Sequence, residues 1–164
     1  MNIILIAHNL RSTHNVGSLL RTAEGLGVKK VYLTGYTPYP LIAGDKRLPH
    51  LSKKIDAQIK KTALGAETSV AIGQNDDLTA ILSSLKTDGY MICALEQAPS
   101  AVNLTQFQAP DKVALIVGRE REGLEAEVLA QVDTILEIPM QGRKESFNVA
   151  QAAAMALYQL SYRS

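Results

Sequence analysis

The stretch Ala114-Leu-Ile-Val-Gly118-Arg-Glu120-Arg-Glu-Gly123-Leu124 decides the fold class. It begins as a continuous apolar run, breaks at a glycine and continues as a helical pattern from Leu124. Continuous apolar strands are typical of parallel sheets that are covered on both faces. Because ligands of such α/β proteins bind where strands end, the turn at Gly118 is either a ligand site or simply a tight structural turn. The turn is not a dinucleotide fingerprint, since Glu120 stands where that motif requires a glycine.

The same alternation of strand and helix extends along the chain. Short β-type runs predict six strands, at 2–7, 30–34, 68–72, 90–95, 113–117 and 134–138. Helical spacing predicts five helices, at 16–27, 51–64, 78–85, 124–132 and 149–162. This order indicates an α/β protein with a mostly parallel sheet flanked by helices. No repeat, low-complexity tract or linker divides the chain, so we expect one domain over residues 1–164.

Composition leaves a nucleic-acid partner open and argues against a membrane protein. The net charge is +1, and phosphate binding depends on where basic residues cluster rather than on their sum. No apolar run approaches the ~20 residues of a membrane span, and the segment at 2–7 is too short for a signal peptide. The single cysteine, Cys93, lies inside an apolar strand and indicates core packing rather than a nucleophile. We expect a cytoplasmic protein.

A polar motif follows the first strand: Asn9-Leu-Arg-Ser-Thr-His-Asn15-Val-Gly17-Ser-Leu-Leu-Arg21-Thr-Ala-Glu24. Asn15 stands where a helix N-cap is expected, and Gly17 leaves the approach to the Arg21 guanidinium open. Spacing alone allows two interpretations. The residues form an ordinary cap and an Arg21–Glu24 ion pair, or they point polar groups at one ligand.

A third motif, Ile138-Pro-Met140-Gln-Gly-Arg-Lys-Glu-Ser146-Phe-Asn148-Val-Ala, links the last strand to the last helix. Asn148 is a second candidate N-cap, and Ser146 could bond the same helix terminus. The final helix is apolar around most of its circumference, which predicts burial on more than one side.

A basic helix and a proline-rich loop form a candidate substrate edge. The loop at 35–49 is predicted to be exposed. In the next helix the lysines fall on the face opposite the apolar residues; the two sets are Lys53, Lys54, Lys60, Lys61 and Leu51, Ile55, Ile59. Six basic residues against two acidic ones between Asp45 and Lys61 indicate either a solvated face or a patch for an RNA backbone.

Together, the three motifs resemble motifs 1, 2 and 3 of the SpoU/TrmH-like branch of the SPOUT RNA methyltransferases. The likeness is carried by N-x-G-x-x-x-R, G-x-E-x-x-G-L and I-P-M followed by S-x-N-V, and it covers essentially the whole chain. It implies transfer of a methyl group from S-adenosylmethionine to a ribose 2′-hydroxyl of tRNA or rRNA. It also implies a deep trefoil knot in the C-terminal third and a homodimer through the final helix. No separate RNA-binding domain is expected, so the catalytic domain itself must contact the RNA.

The resemblance assigns roles to individual residues. The implied catalytic cluster is Asn15, Arg21, Glu120, Ser146 and Asn148. The implied cofactor site is Leu95, Gly118, Ile138, Met140 and Ser146. Candidate RNA contacts are Arg11, Lys46, Arg47, Lys53, Lys54, Lys60 and Lys61.

Two further chemical expectations accompany these roles. The family's accounts make Arg21 the proton acceptor, whereas a guanidinium is a poor base and is better suited to hold phosphate and stabilise developing negative charge. No metal is expected, because His8, His14 and His50 lack metal-ligand spacing.

Three other functions compete with this interpretation. A base-nitrogen methyltransferase of the same superfamily should show the superfamily's other motif set and a C-terminal helical domain. A non-catalytic RNA-binding protein with the same fold should have lost Arg21 or Asn148, and both are present. A flavodoxin-like small-molecule enzyme should contain a recognisable phosphate loop.

Overall fold

A computed structural model describes residues 1–162, which form one seven-stranded sheet flanked by helices. The strands are β1 (Asn2–His8), β2 (Lys30–Thr34), β3 (Ile72–Asn75), β4 (Met91–Leu95), β5 (Val102–Asn103), β6 (Lys112–Val117) and β7 (Thr134–Glu137). The helices are α1 (Thr13–Gly25), α2 (Pro49–Ala63), α3 (Ala66–Ser69), α4 (Leu78–Thr87), α5 (Ala126–Leu129) and α6 (Val149–Tyr162). All six strand pairings are parallel, so the predicted α/β class is confirmed.

Both faces of the sheet are covered, as the continuous apolar strands predicted. Leu5 and Leu115 pack on the face that carries α1, α2 and α6, whereas Ile6 and Ile116 pack toward α4 and α5. Successive residues of a strand point to opposite faces, which is why neighbouring residues belong to different layers. All four side chains are fully buried because helices cover both faces. In the described part of the chain, no helix combines the length and the apolar character needed to cross a membrane.

The strand order places the three polar motifs at one edge of the sheet. That order is β3-β2-β1-β6-β4-β7-β5. β1 and β6 are neighbours, with Ile6 opposite Ile116, although about a hundred residues separate them in sequence. The loops that follow β1, β6, β4 and β7 therefore leave the same edge side by side.

Gly17 has a packing role that the sequence did not predict. A Cβ at this position would lie 2.1 Å from Thr62 Oγ1 and 2.4 Å from the Ile59 carbonyl oxygen. The glycine therefore allows α1 and α2 to approach closely, rather than opening a path to Arg21.

The start of α1 also differs from the prediction. Its N-cap is Ser12, whose hydroxyl accepts the Asn15 backbone N–H. Asn15 lies inside the helix with its side chain free for another role, so its assignment as a cap was wrong. The Asn148 cap is confirmed: its side-chain oxygen accepts the Ala150 N–H at 2.9 Å.

Two predicted elements were misplaced. The segment predicted as a strand at 68–72 instead begins with the end of α3, where the Thr68 hydroxyl donates to the Gly65 carbonyl, and β3 begins only at Ile72. The helix predicted at 124–132 shortens to the single turn α5, because the preceding residues form a turn around Gly123. Leu51, expected on the buried face of α2, is 43% exposed, whereas Ile59 is fully buried.

Candidate active site

The carboxylate of Glu120 joins the second motif to the first. Its oxygens accept the backbone N–H groups of Arg11 (3.3 and 3.4 Å) and Ser12 (3.1 Å), and the side-chain amide of Asn15 (3.3 Å). The interaction is possible because β1 and β6 are adjacent and both loops leave the same edge. Glu120 thus fixes the loop that begins α1.

Asn148 connects the third motif to the same cluster. Its side-chain N–H donates to Asn15 Oδ1 at 3.2 Å, while its own oxygen caps α6. Glu120, Asn15 and Asn148 form a continuous hydrogen-bonded chain, which we call the junction. The structure therefore brings together three of the five residues predicted for the catalytic cluster.

Glu120 is held in its charged form. Burial raises the pKa of this carboxyl, but the hydrogen bonds from its own backbone, Ser12, Asn15 and Arg11 outweigh burial, so its pKa is lowered. A carboxylate that accepts several N–H groups suits a fixed anchor better than a proton acceptor.

A pocket of about 290 Å³ lies beside the junction. Five predicted site residues line it: Leu95, Gly118, Glu120, Ile138 and Ser146. Met140 is not among the lining residues, and its predicted role as a cofactor contact stays a prediction. The lining also contains three carboxylates that the sequence analysis did not select, Glu96, Glu137 and Glu145.

Glu96 shapes the wall of this pocket. Its Oε2 accepts the Leu124 N–H at 3.0 Å and lies 2.1 Å from the position that a Cβ on Gly123 would take. A Cβ on Gly118 would lie 2.7 Å from the Leu124 side chain, so glycine is required where the loop turns back. Glu96 directly follows strand β4, and the rule that strand ends carry ligand sites could have identified it.

Arg21 does not join the junction within one chain. Its side chain is exposed on α1, and it lines neither the pocket nor the adjoining groove between α1 and α6. Six residues at about 100° each place it roughly 240° around the helix from Asn15. The groove itself contains Asn15, Ser18, Thr22, Asn148 and Gln151. The catalytic role of Arg21 stays a prediction.

The predicted RNA contacts divide into free and engaged groups. Lys46, Lys53, Lys54 and Lys61 are exposed. Lys60 forms an ion pair with Asp56 at 2.6 Å. Arg47 is turned inward, where it donates to the Tyr39 and Pro40 carbonyls and to Asp45, and its guanidinium lies 3.5 Å from the centre of the Tyr39 ring. Because its donors are satisfied by the loop at 35–49, Arg47 organises that loop.

A second polar cluster lies behind the junction, and the sequence analysis missed it. His8 Nδ1 is 2.8 Å from the Thr34 hydroxyl, which itself donates to the Ala7 carbonyl. Asn9 Oδ1 accepts the Tyr36 N–H, so the amide nitrogen faces His8 and donates to Nε2 at 3.1 Å, which assigns the proton of the neutral ring to Nδ1. The same amide donates to Glu125 Oε1 at 3.1 Å. The network ties the loop after β1 to the loop after β6.

The single cysteine follows its expected chemistry. Burial raises the pKa of Cys93 to about 12, and its side chain is fully buried, so its core role is confirmed. Across residues 1–162, no cluster of three or more histidine, cysteine, aspartate or glutamate side chains has the geometry to hold a metal ion.

Fold and site define an α/β protein with a pocket at the carboxyl edge of a parallel sheet. Residues 2–158 match the model of the SpoU rRNA Methylase family, and the chain belongs to that family. The resemblance inferred from the three motifs is thereby confirmed.

This chain covers different shares of the proteins to which it is similar. The tRNA (guanosine(18)-2′-O)-methyltransferase of Borreliella burgdorferi is 27% identical over 161 residues, and the chain spans 66% of its length. The AdoMet-bound rRNA methyltransferase of Sinorhizobium meliloti, at 20% identity, shares the fold with a TM-score of 0.79 over 97% of this chain and 55% of that one. A structure described for 2-OH methylation of C/U34 on tRNA is 25% identical, with a TM-score of 0.77 over 96% of this chain and 93% of that one.

Proposed function

We propose that this protein transfers a methyl group from S-adenosylmethionine to a ribose 2′-hydroxyl of tRNA or rRNA. The observation that carries the proposal is the junction of Glu120, Asn15 and Asn148 beside the pocket, in a chain of the SpoU family. The Borreliella relative is named for 2′-O-methylation of guanosine 18 in tRNA and the other for 2-OH methylation of C/U34 on tRNA, which supports the reaction class.

The pocket fits the proposed cofactor by its chemistry. Leu95, Val117 and Ile138 provide an apolar wall for an adenine ring, whereas Glu96 and Glu137 provide negative charge for a sulfonium and an ammonium group. When bound, S-adenosylmethionine supplies an electrophilic methyl group. Backbone groups at Leu95, Gly118, Ile138 and Met140, together with Ser146, would hold it.

The chain's own residues then position the ribose. Asn15 and Asn148 belong to the junction and also line the α1–α6 groove, so the ribose would enter from that groove. Glu120 keeps both loops in place, and Ser146 offers a hydroxyl at the wall of the pocket. We assign Arg21 to the RNA phosphate and to the negative charge that develops on the ribose oxygen.

The RNA would be held by exposed basic groups of the same domain. Arg11, Lys46, Lys53, Lys54 and Lys61 are exposed and can contact phosphates. Arg47 and Lys60 already have protein partners and contribute less.

We also propose the features that the family implies for the whole molecule. These are a trefoil knot in the C-terminal third, a homodimer through α6, one methyltransferase domain formed by the given sequence, and a cytoplasmic location. The dimer is supported by the exposed aromatic side chains of Tyr158 and Tyr162 on α6.

Separating cofactor binding from methyl transfer tests the proposal. Because Arg21 lies outside the pocket, Arg21→Ala should bind S-adenosylmethionine with unchanged affinity in calorimetry. It should nevertheless lose labelled methyl transfer to total RNA from cells that lack this gene. Glu24→Ala, an exposed change on the same helix, should retain both properties. Failure of the wild-type protein to bind S-adenosylmethionine would overturn the proposal.

A further inference from the structure

Tyr36 is an exposed aromatic side chain on a rigid backbone. It follows β2 at the edge of the sheet that carries the junction, and 52% of its surface is exposed. Nearby Thr37 and Thr34 are buried at 2% and 0% exposure. The chain is therefore fixed on both sides of a ring that projects into solvent.

Hydrogen bonds to the loop after β1 fix the backbone around Tyr36. The Tyr36 N–H donates to Asn9 Oδ1 at 3.1 Å. The Thr37 hydroxyl accepts the Leu10 N–H at 3.0 Å and donates to the Ala7 carbonyl at 2.9 Å. These bonds place the ring in one position relative to the start of the first motif.

This placement uses unusual backbone geometry. Asn9 has φ +56° and Gly35 has φ +61°, both in the left-handed region. A Cβ at Gly35 would lie 1.9 Å from Asn9 Oδ1, so only glycine permits the bond that fixes Tyr36. Rare conformations that the surrounding structure enforces are concentrated at functional sites.

Tyr36 is paired with a cation beside the junction. The Arg11 guanidinium lies 6.0 Å from the centre of the Tyr36 ring. The backbone N–H of the same Arg11 donates to Glu120. One residue thus connects the exposed ring to the carboxylate that organises the proposed catalytic centre.

We propose that Tyr36 and Arg11 form a stacking platform for an unpaired RNA base adjacent to the methylated ribose. An aromatic face and a guanidinium plane both stack on bases, and they accept any base because every base has a π face. The platform favours single-stranded or loop RNA, since a base inside a duplex is already stacked on its neighbours. This inference rests on the proposed function, because it names the form of RNA that the same site takes.

Binding of an unstructured RNA tests the platform. The probe is a fluorescein-labelled dodecauridylate, measured by fluorescence anisotropy and compared with a twelve-base-pair RNA duplex. Tyr36→Ala should weaken binding of the single strand roughly tenfold, whereas the matched control Tyr36→Phe, which keeps the ring, should bind like the wild type. Duplex binding should be the same for all three proteins.

Salt dependence separates the two members of the platform. Arg11→Ala should reduce the slope of log Kd against log salt for the single strand by up to about 0.7, because one ionic contact is lost. Tyr36→Ala should leave that slope unchanged, since stacking releases no counterions. Equal thermal midpoints for the variants and the wild type would show that the substitutions do not unfold the protein.

Three results would overturn the inference: Tyr36→Ala binding the single strand within twofold of the wild type, Tyr36→Phe losing binding as strongly as alanine, or the wild type preferring the duplex. Methyl transfer by the wild-type protein to total RNA is measured in parallel. Methyl transfer by the wild type, with no effect of Tyr36→Ala on RNA binding, would rule out only the platform. Absence of methyl transfer would rule out the proposed function whatever the binding shows.

Discussion

His8 illustrates how single residues couple the loops of the site. Its Nε2 accepts from Asn9, and Glu125 Oε2 lies 3.7 Å away. Protonation would place an N–H against the amide that now donates to it. Burial lowers the pKa of His8; Glu125 opposes this effect and Arg119 adds to it. The neutral imidazole is therefore the form that fits the folded structure.

We expect stability to fall in mildly acidic solution because of this residue. The unfolded chain binds a proton on His8 near pH 6.5, whereas the folded chain does so only at lower pH. The contribution of neutral His8 to the free energy of unfolding is therefore fully present above pH 6.5. It is lost as the pH falls through the folded-state pKa. Thermal midpoints at pH 7.5 and 5.5 should differ more for the wild type than for His8→Asn. Equal differences would show that His8 does not couple to folding.

Residue patterns predicted the capping role of Asn148 but not the partners of Glu120. A cap is a local feature, since an asparagine before an apolar helix satisfies orphan backbone donors. The contact between Glu120 and Asn15 depends on β1 and β6 being neighbours. Sequence periodicity contains no information on that pairing, and only the family resemblance suggested it.

The close contact between α1 and α2 depends on the absence of a Cβ at Gly17. We expect Gly17→Ala to destabilise the protein by about 2 kcal/mol, because the new methyl group would collide with backbone and side-chain atoms of α2. Gly25→Ala in the same helix has no atom within 4 Å of the new Cβ and should be neutral or raise stability by up to about 1 kcal/mol. Urea denaturation of both variants checks this, and equal effects would contradict the packing role.

The predictability of the elements depended on their length and apolar character. β2 and α6 were predicted at their observed bounds, since each is a distinctly apolar segment. β5 has two residues and α5 four, too few for a period to show. Such short elements are specified by their neighbours rather than by their own sequence.

At the scale of the whole molecule, α6 carries both the core and a candidate interface. Leu157 and Leu160 are buried, whereas Tyr158 and Tyr162 are 60% and 68% exposed, with their rings 4.8 Å apart. Within residues 1–162, the other face of α6 already packs on the sheet and α1. An aromatic pair left in solvent is typical of a contact surface.

We expect the wild-type protein to sediment as a dimer of 17.8 kDa chains. Tyr158→Lys should produce monomers, because it would place charge in the interface. Leu64→Lys changes a side chain of similar exposure, 65%, at the end of α2 and should remain dimeric. A monomeric wild type, or equal behaviour of the two variants, would rule out this interface.

The position of the transferred methyl group tests the account most directly. Labelled S-adenosylmethionine is incubated with the wild-type protein and total RNA from cells that lack this gene, and the RNA is then hydrolysed in alkali. A 2′-O-methyl group blocks cleavage at its own phosphate, so the account predicts label in alkali-resistant dinucleotides that release 2′-O-methyl nucleosides on enzymatic digestion. Label recovered only in mononucleotides with methylated bases, or no transfer although RNA and S-adenosylmethionine both bind, would contradict it.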